Sequence, residues 1–225
     1  MKRNQEAILT KLGDWANAFN APEGLHIRYA RGQLICQIGS YAAGIYLVTA
    51  GIVSESLGRN GGTAPPAAFE ILGPGDLIGL EILLGSGEAL HSACSHAITD
   101  VELAFLARDA FANVVDQDAD LRWRLVQHLA ARHLSVRRAL SWSGSPARER
   151  LCHLLLVLQR RLGEGGHGKE VRLPKQIDSR TLAELLGIST SRVRRACASL
   201  PSLREEDGRL HFSSEALVDQ LSVPD

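Results

Sequence analysis

Between residues 25 and 106 the chain alternates apolar and polar positions in short runs: LHIRY, QLICQI, GIYLVTA, IVSESL, AAFEIL, LIGLEILL, LHSACSHAI and VELAFL. A side-chain period of two places one set of residues on an inner face, so these runs predict strands. Gly32, Gly39, Gly44, Gly51, Gly58, Gly73 and Gly75 punctuate them, the rhythm of an all-β barrel or roll. NGGTAPP, at 60–66, predicts a loop between two strands. On either side the period lengthens to that of a helix. Ile8, Leu9, Leu12 and Trp15 share one side of a predicted helix over 4–20. Helical spacing reopens at 108–115, with Asp109 as the expected cap and Phe111, Val114 and Val115 apolar.

After the acidic turn DQDAD, residues 121–140 predict a long helix. Its apolar positions Leu121, Leu125, Leu129, Val136 and Leu140 form a narrow stripe, closer to a coiled-coil seam than to a broad core face. Arg132 stands where the next member of the stripe is due. Two arrangements follow from the stripe: a symmetric dimer packing this helix on its twin, or the helix lying on its own β-region. SWSGSP (141–146) reads as a hinge. Ser145 is the expected cap and Pro146 the first-turn residue of a helix ending near Leu162, with Leu151, Leu154, Leu155 and Leu158 as its apolar face. GEGGHGKE then predicts a loop and VRLPKQ a short strand and turn.

The stretch 178–200, DSRTLAELLGISTSRVRRACASL, holds two short helices around Gly187. Asp178 or Ser179 caps the first, whose buried face is Leu182, Leu185 and Leu186. Gly187 supplies the left-handed residue that ends it. Ser189 or Thr190 caps the second, apolar at Val193, Ala196, Cys197 and Leu200. Its outer face carries Thr190, Ser191, Arg192, Arg194 and Arg195, with Arg180 on the helix before. Such a pair predicts a helix-turn-helix suited to a DNA major groove, against the plainer alternative of a helical hairpin with a solvated basic face. LREEDGRLHF (203–212) predicts a hairpin turning at Asp207-Gly208, which completes a winged helix, and a short helix closes the chain. The fold class expected is α+β, divided into a β-roll over 1–116, a helix and hinge over 117–143, and a winged helix-turn-helix over 144–225.

Charge sharpens this picture only locally. Lys plus Arg and Asp plus Glu are both 25 of 225 residues, so no global field draws the chain to a polyanion. Residues 144–225 hold 13 basic and 11 acidic side chains, and residues 175–200 five against two. Cys36, Cys94, Cys152 and Cys197 lie far apart without CxxC pairing, as expected of free, buried thiols in a reducing compartment. No apolar run reaches membrane-spanning length and the opening segment lacks a signal-peptide core, so a cytoplasmic protein without membrane association is expected. No GxSxG, HExxH or P-loop motif is present, and no enzymatic activity is expected.

The order of these elements resembles the family of the cyclic-AMP receptor protein and the fumarate-nitrate reduction regulator (CRP/FNR). The resemblance rests on Ile45-Tyr46-Leu47-Val48 ending at Gly51, on Gly75-Asp76-Leu77-Ile78-Gly79, and on the helix-turn-helix, in family order and spacing. It implies a cyclic-nucleotide-binding-like roll, a long dimerisation helix and a C-terminal winged helix-turn-helix. It also implies a homodimeric regulator of transcription, activator or repressor, with double-stranded DNA and its own copy as partners and RNA polymerase as a further one if it activates. In the recognition helix, 190–200, Arg195 matches the family's base-reading arginine, and Ser191 stands where a glutamate is common. Arg195 can fork onto guanine, but no acceptor remains for a cytosine amine, so the palindromic operator should depart from the family's usual half-site. Arg192 and Arg194 suit phosphates as well as bases.

In the sensor the resemblance places the effector residues at Gly79, Glu81, His91 and Ser92. With a small gap Glu81 matches the ribose-binding glutamate and Ser92 the phosphate-binding serine, whereas the arginine position holds His91, or Leu90 without the gap. A cyclic phosphate without that arginine loses a charge-assisted, bidentate contact, so an effector other than cyclic AMP is expected. The iron-sulfur branch is excluded, because no cysteine precedes Cys36. ALHSAC (89–94) leaves the haem-binding branch open, with His91 as the ligand of a haem cofactor, although the thiolate position holds Ala89. In that alternative the chain is a haem- or small-molecule-binding sensor whose winged helix contacts protein. The simpler role for His91 is a hydrogen-bonded histidine at the roll surface. Strand alternation parts His91 from Cys94 and His96, which argues against a metal site. His128 and His133 read as interface or surface residues. Cys197 reads as a structural thiol, with a redox switch beside Arg194 as the alternative.

Overall fold

The structure, a computed structural model, describes residues 15, 18, 19, 24–57, 67–84, 89–162 and 170–222. The expected loop at 60–66 and all of that at 163–170 but Glu170, which belongs to a strand, lie outside the described residues, as does most of the leading helix.

Among the described residues eight strands build the first half of the chain: β1 (Leu25–Tyr29), β2 (Leu34–Cys36), β3 (Gly44–Ala50), β4 (Val53–Ser56), β5 (Glu70–Leu72), β6 (Leu77–Ile78), β7 (Cys94–Ala97) and β8 (Val101–Ala107). They pair antiparallel in two four-stranded sheets, ordered β1-β8-β3-β6 and β2-β7-β4-β5. The two orders interleave along the sequence, so the chain passes repeatedly from one sheet to the other and makes a roll. In β8 Val101 and Leu103 are buried about exposed Glu102, but Ala104 and Leu106 are buried as well, so strict alternation ends at Leu103.

Two helices follow, α1 (Arg108–Gln117) and α2 (Ala119–Trp142). Ala107 precedes α1 without a side-chain cap. Asp109 is not the cap but lies inside the first turn, where its charge faces the free amides. Asp118 caps α2, accepting from the amides of Asp120 at 2.9 Å and Leu121 at 3.0 Å. Leu121 and Leu125 pack into the chain's own core with Trp15, Phe19, Ile45, Leu106 and Phe111. The apolar stripe is therefore split between two faces, because Leu129 and Leu140 remain 41% and 61% exposed. His128 also turns inward, edge-on to Trp15.

The last third contains α3 (Ala147–Leu162), β9 (Glu170–Arg172), α4 (Ser179–Leu186), α5 (Thr190–Ala198), β10 (Leu203–Glu206), β11 (Arg209–Ser213) and α6 (Ser214–Ser222). Pro146 stands just before α3, where its carbonyl accepts from Arg150 N at 3.1 Å. The strands form a sheet ordered β10-β11-β9, turned at Asp207 and Gly208, both at positive φ. Leu151, Leu154, Leu155 and Leu158 meet Leu182, Leu185, Val193, Leu200 and Phe212 in one core, which Ile52, Ile71 and Ile98 of the roll also join. The winged helix thus packs directly on the second sheet. Ala68 N donates to Leu185 O at 3.0 Å across that contact. A side chain on Gly187 would place its Cβ 2.8 Å from Ala67 N, so glycine there serves the close approach as well as the left-handed turn.

Candidate nucleic-acid interface and effector site

Local chemistry sets the helix-turn-helix. Asp178 Oδ1 accepts from Thr181 N at 2.8 Å and Thr181 Oγ1 at 2.9 Å. Burial alone would raise this carboxyl, but the Thr181 bonds and nearby Arg31 hold it below its usual range. Gly187 closes α4 at φ 63°, and Ser189 Oγ accepts from Arg192 N at 3.4 Å to open α5. Val193, Ala196 and Leu200 are buried, which turns Ser191, Arg192, Arg194 and Arg195 to solvent and leaves Thr190 half-buried. Arg180, Thr190 and Arg194 converge on a groove of about 790 Å³ between α4, α5 and the wing. Ser191, Arg192 and Arg195 are exposed on the same helix but do not line that groove.

Arg204 of the wing also lines it, paired with Glu170 on β9. Sequence reasoning missed this residue, since only the β9–β11–β10 register brings Glu170 near it. Cys197 borders the groove too. Burial, with Glu205 adding to it, pushes the thiol up to about 11, so Arg194 does not activate it for redox chemistry.

The four expected effector residues do come together in the roll. Gly79, at φ 89°, abuts Gly44 so closely that a Cβ would lie 2.5 Å from Gly44 O and 3.6 Å from His91 Cε1. Glu81, in the short 3-10 helix Leu80–Leu84, accepts from Ser92 Oγ at 2.6 Å and Ser92 N at 2.9 Å. Burial works to raise this carboxyl, but the Ser92 bonds prevail and hold it low. His91 is 6% exposed, with Nδ1 3.9 Å from Glu81 Oε2. It is a buried residue and not one of the roll surface. Its imidazole is confined between Gly79 and Glu81, and Ala89 offers no donor atom, so these residues do not fit a haem. Among the described residues no group of three His, Cys, Asp or Glu could hold a metal ion.

Beside this site lies an ionic cluster. Arg132 Nε donates to Glu70 Oε2 at 2.9 Å, Nη1 to Leu77 O at 2.8 Å, and Nη2 to Glu55 Oε2. Glu55 and Glu70 are 5% and 3% exposed. Burial pushes Glu55 up to about 7; Arg132 offsets part of the rise, and Glu70 and Glu81 add to it. The one signal in the sequence was a charged residue at an apolar stripe position. The steps 121, 125, 128 and 132 place Arg132 on the helix face that meets the roll.

A β-roll joined by a long helix to a winged helix-turn-helix is the architecture of a transcription regulator. Comparison with known proteins agrees. Residues 26–118 match the cyclic nucleotide-binding domain family. Over 198 residues the chain is 31% identical to the cyclic AMP receptor protein of Thermus thermophilus, covering 86% of each chain. The structure of FixK2 from Bradyrhizobium japonicum superposes with a TM-score of 0.72 at 21% identity, covering 90% of this chain and 99% of that one. A CRP/FNR-family regulator of Thermus thermophilus gives 0.67 at 21% identity, over 89% and 100% of the two chains. The chain belongs to the CRP/FNR family of transcription regulators. No described helix is long and apolar enough to cross a membrane.

Proposed function

We propose that the chain is a homodimeric regulator that binds a palindromic DNA operator through α5, under control of a roll whose effector is not cyclic AMP. The observation that carries the reading is the two-sided character of α5. Val193, Ala196 and Leu200 lock it into the core while Arg192, Arg194 and Arg195 stay in solvent. A helix so held presents charge and hydroxyl donors with little freedom to lose on binding.

Self-association has its own support. Val126, Leu129, His133, Val136 and Leu140 step by three and four along the outer face of α2, the a/d spacing of a two-stranded coiled coil. Val126, Leu129 and Leu140 are 52%, 41% and 61% exposed, an unburied apolar strip. The domains we assign are 1–116, 117–143 and 144–225.

Binding to duplex DNA, titrated with salt, tests the function, because counterion release makes affinity for a polyphosphate fall steeply as salt rises. Arg195→Ala should cost about 1–3 kcal/mol and relax selectivity at one symmetric pair of positions. Arg192→Ala should weaken all sequences alike and lower the salt slope by about one. Salt-independent affinity, or a selected site unaltered by Arg195→Ala, contradicts the assignment.

A further inference from the structure

We propose that the hinge contains a binding site for a small amphipathic anion, an aromatic or acyl carboxylate. The site is the cavity enclosed by β5, the end of α2, α3 and the end of α4. Its volume is about 510 Å³, within the range of roughly 300–1,000 Å³ of small-molecule sites. The wall is apolar, with Phe69 and Ile71 from the roll, Trp142 at the end of α2, Leu154 on α3 and Leu186 on α4.

The cations around it decide the ligand's charge. Arg138 of α2 and Arg160 of α3 both line the cavity and are exposed, and neither guanidinium has a partner among the described residues. Arg150 lines it as well but is committed to Leu186 O. Among the described lining residues Glu70 is the carboxylate, and it is already paired with Arg132. Its Oε2 is held by Arg132, and its Oε1 is buried. An apolar wall with two unengaged guanidiniums selects an acid with a hydrophobic body. Burial of the body supplies affinity, and the guanidiniums orient the carboxylate.

Position gives the site its consequence. Its walls come from the roll, the long helix and the winged helix, so a ligand there bears on how the last of these sits on the first. That consequence rests on the DNA-binding function proposed above, whereas the site itself does not.

Isothermal titration of the full chain with 1-naphthoate and decanoate, each against its neutral amide, is the test. Saturable binding of one acid per chain is expected, about tenfold tighter than the amide. Combining Arg138→Ala with Arg160→Ala should reduce the acid to the amide's affinity. Ala139→Trp, which fills the cavity from α2, should abolish binding of both. If Ala139→Trp misfolds by circular dichroism, the double arginine variant alone carries the test. Failure of both acids to saturate overturns the proposal, as does acid binding indifferent to the arginines. So does an Ala139→Trp variant with altered self-association in sedimentation when neither acid binds, since a second copy of the chain then fills the cavity.

Discussion

Arg161 of α3 pairs its guanidinium with the carboxylate of Asp76, which is 2% exposed in the turn between β5 and β6. Asp76 Oδ2 also accepts from Gly73 N at 2.9 Å, so the carboxylate is fixed by its own turn before the winged helix reaches it. Arg31 adds a second tether, donating to Thr181 Oγ1 at 2.7 Å. Arg161→Ala takes the guanidinium from a buried carboxylate, which costs about 3 kcal/mol. Loosening should appear where the two parts meet. Amide exchange at Ala68, bonded to Leu185 O, should accelerate, while exchange at Ala104 in the β3–β8 ladder stays slow. Adding Asp76→Asn should restore part of the protection. An Ala68 amide unaffected by Arg161→Ala would show that the pair holds nothing together.

Glu55 makes stability depend on pH in a defined direction. Burial pushes its carboxyl from an ordinary 4.5 to about 7 in the folded chain. Between those values the folded state keeps a proton that the unfolded chain has released. The stability it contributes is therefore fully present below 4.5 and is lost as pH rises to about 7. Glu70, raised first by burial, bends the curve the same way. Urea unfolding should show wild type losing stability relative to Glu55→Gln across that window, with a slope approaching ~1.4 kcal/mol per pH unit. Identical pH profiles for the two proteins rule out the raised carboxyl.

What the sequence disclosed follows how local the chemistry is. Asp178, Gly187 and Ser189 act on backbone within a few residues of themselves, so both helices of the helix-turn-helix were readable to within their caps. The Asp207-Gly208 turn was readable for the same reason. Arg132 was not, since its partners Glu70 and Glu55 lie 62 and 77 residues away and meet it only once the roll has closed. Leu121 and Leu125 were left between a twin helix and the β-roll, since steps of four and seven suit both equally, and only the closed roll shows that they belong to the chain's own core. His91 was anticipated as an effector residue, but its burial depends on Gly79 approaching Gly44, which no spacing along the chain reveals.

The split stripe of α2 separates two substitutions that the sequence treats alike. Leu125 is 8% exposed in the chain's own core, whereas Leu129 is 41% exposed on the outer face. Leu129→Glu should give a folded monomer, because a charge without a partner in a coiled-coil seam costs several kcal/mol. Leu125→Glu should instead unfold the sensor. Light scattering with circular dichroism distinguishes the two outcomes. A Leu129→Glu protein that remains dimeric moves the self-association surface away from α2.

The roll should not take up cyclic AMP, although the Thermus thermophilus relative is named for that ligand. No arginine occurs from residue 60 to residue 107, so the strands and the 3-10 helix around Gly79, Glu81, His91 and Ser92 bring no guanidinium to a phosphate. Arg132 lies nearby, but its three donor nitrogens are engaged by Glu70, Leu77 O and Glu55. Releasing it to a ligand would strand two buried carboxylates, a cost of several kcal/mol. On the ribose side Glu81 Oε1 already takes the hydroxyl and amide of Ser92 at 2.6 Å and 2.9 Å, which leaves Oε2 as its acceptor for a ribose hydroxyl, so the missing guanidinium carries the prediction. Isothermal titration with cyclic AMP and cyclic GMP at mildly alkaline pH should show no saturation up to about 1 mM, the affinity of a ligand held by roughly 4 kcal/mol. A dissociation constant in the low micromolar range, with tighter operator binding on saturation, would mean that Arg132 exchanges its carboxylates for the phosphate. The cluster would then be the device that opens the site.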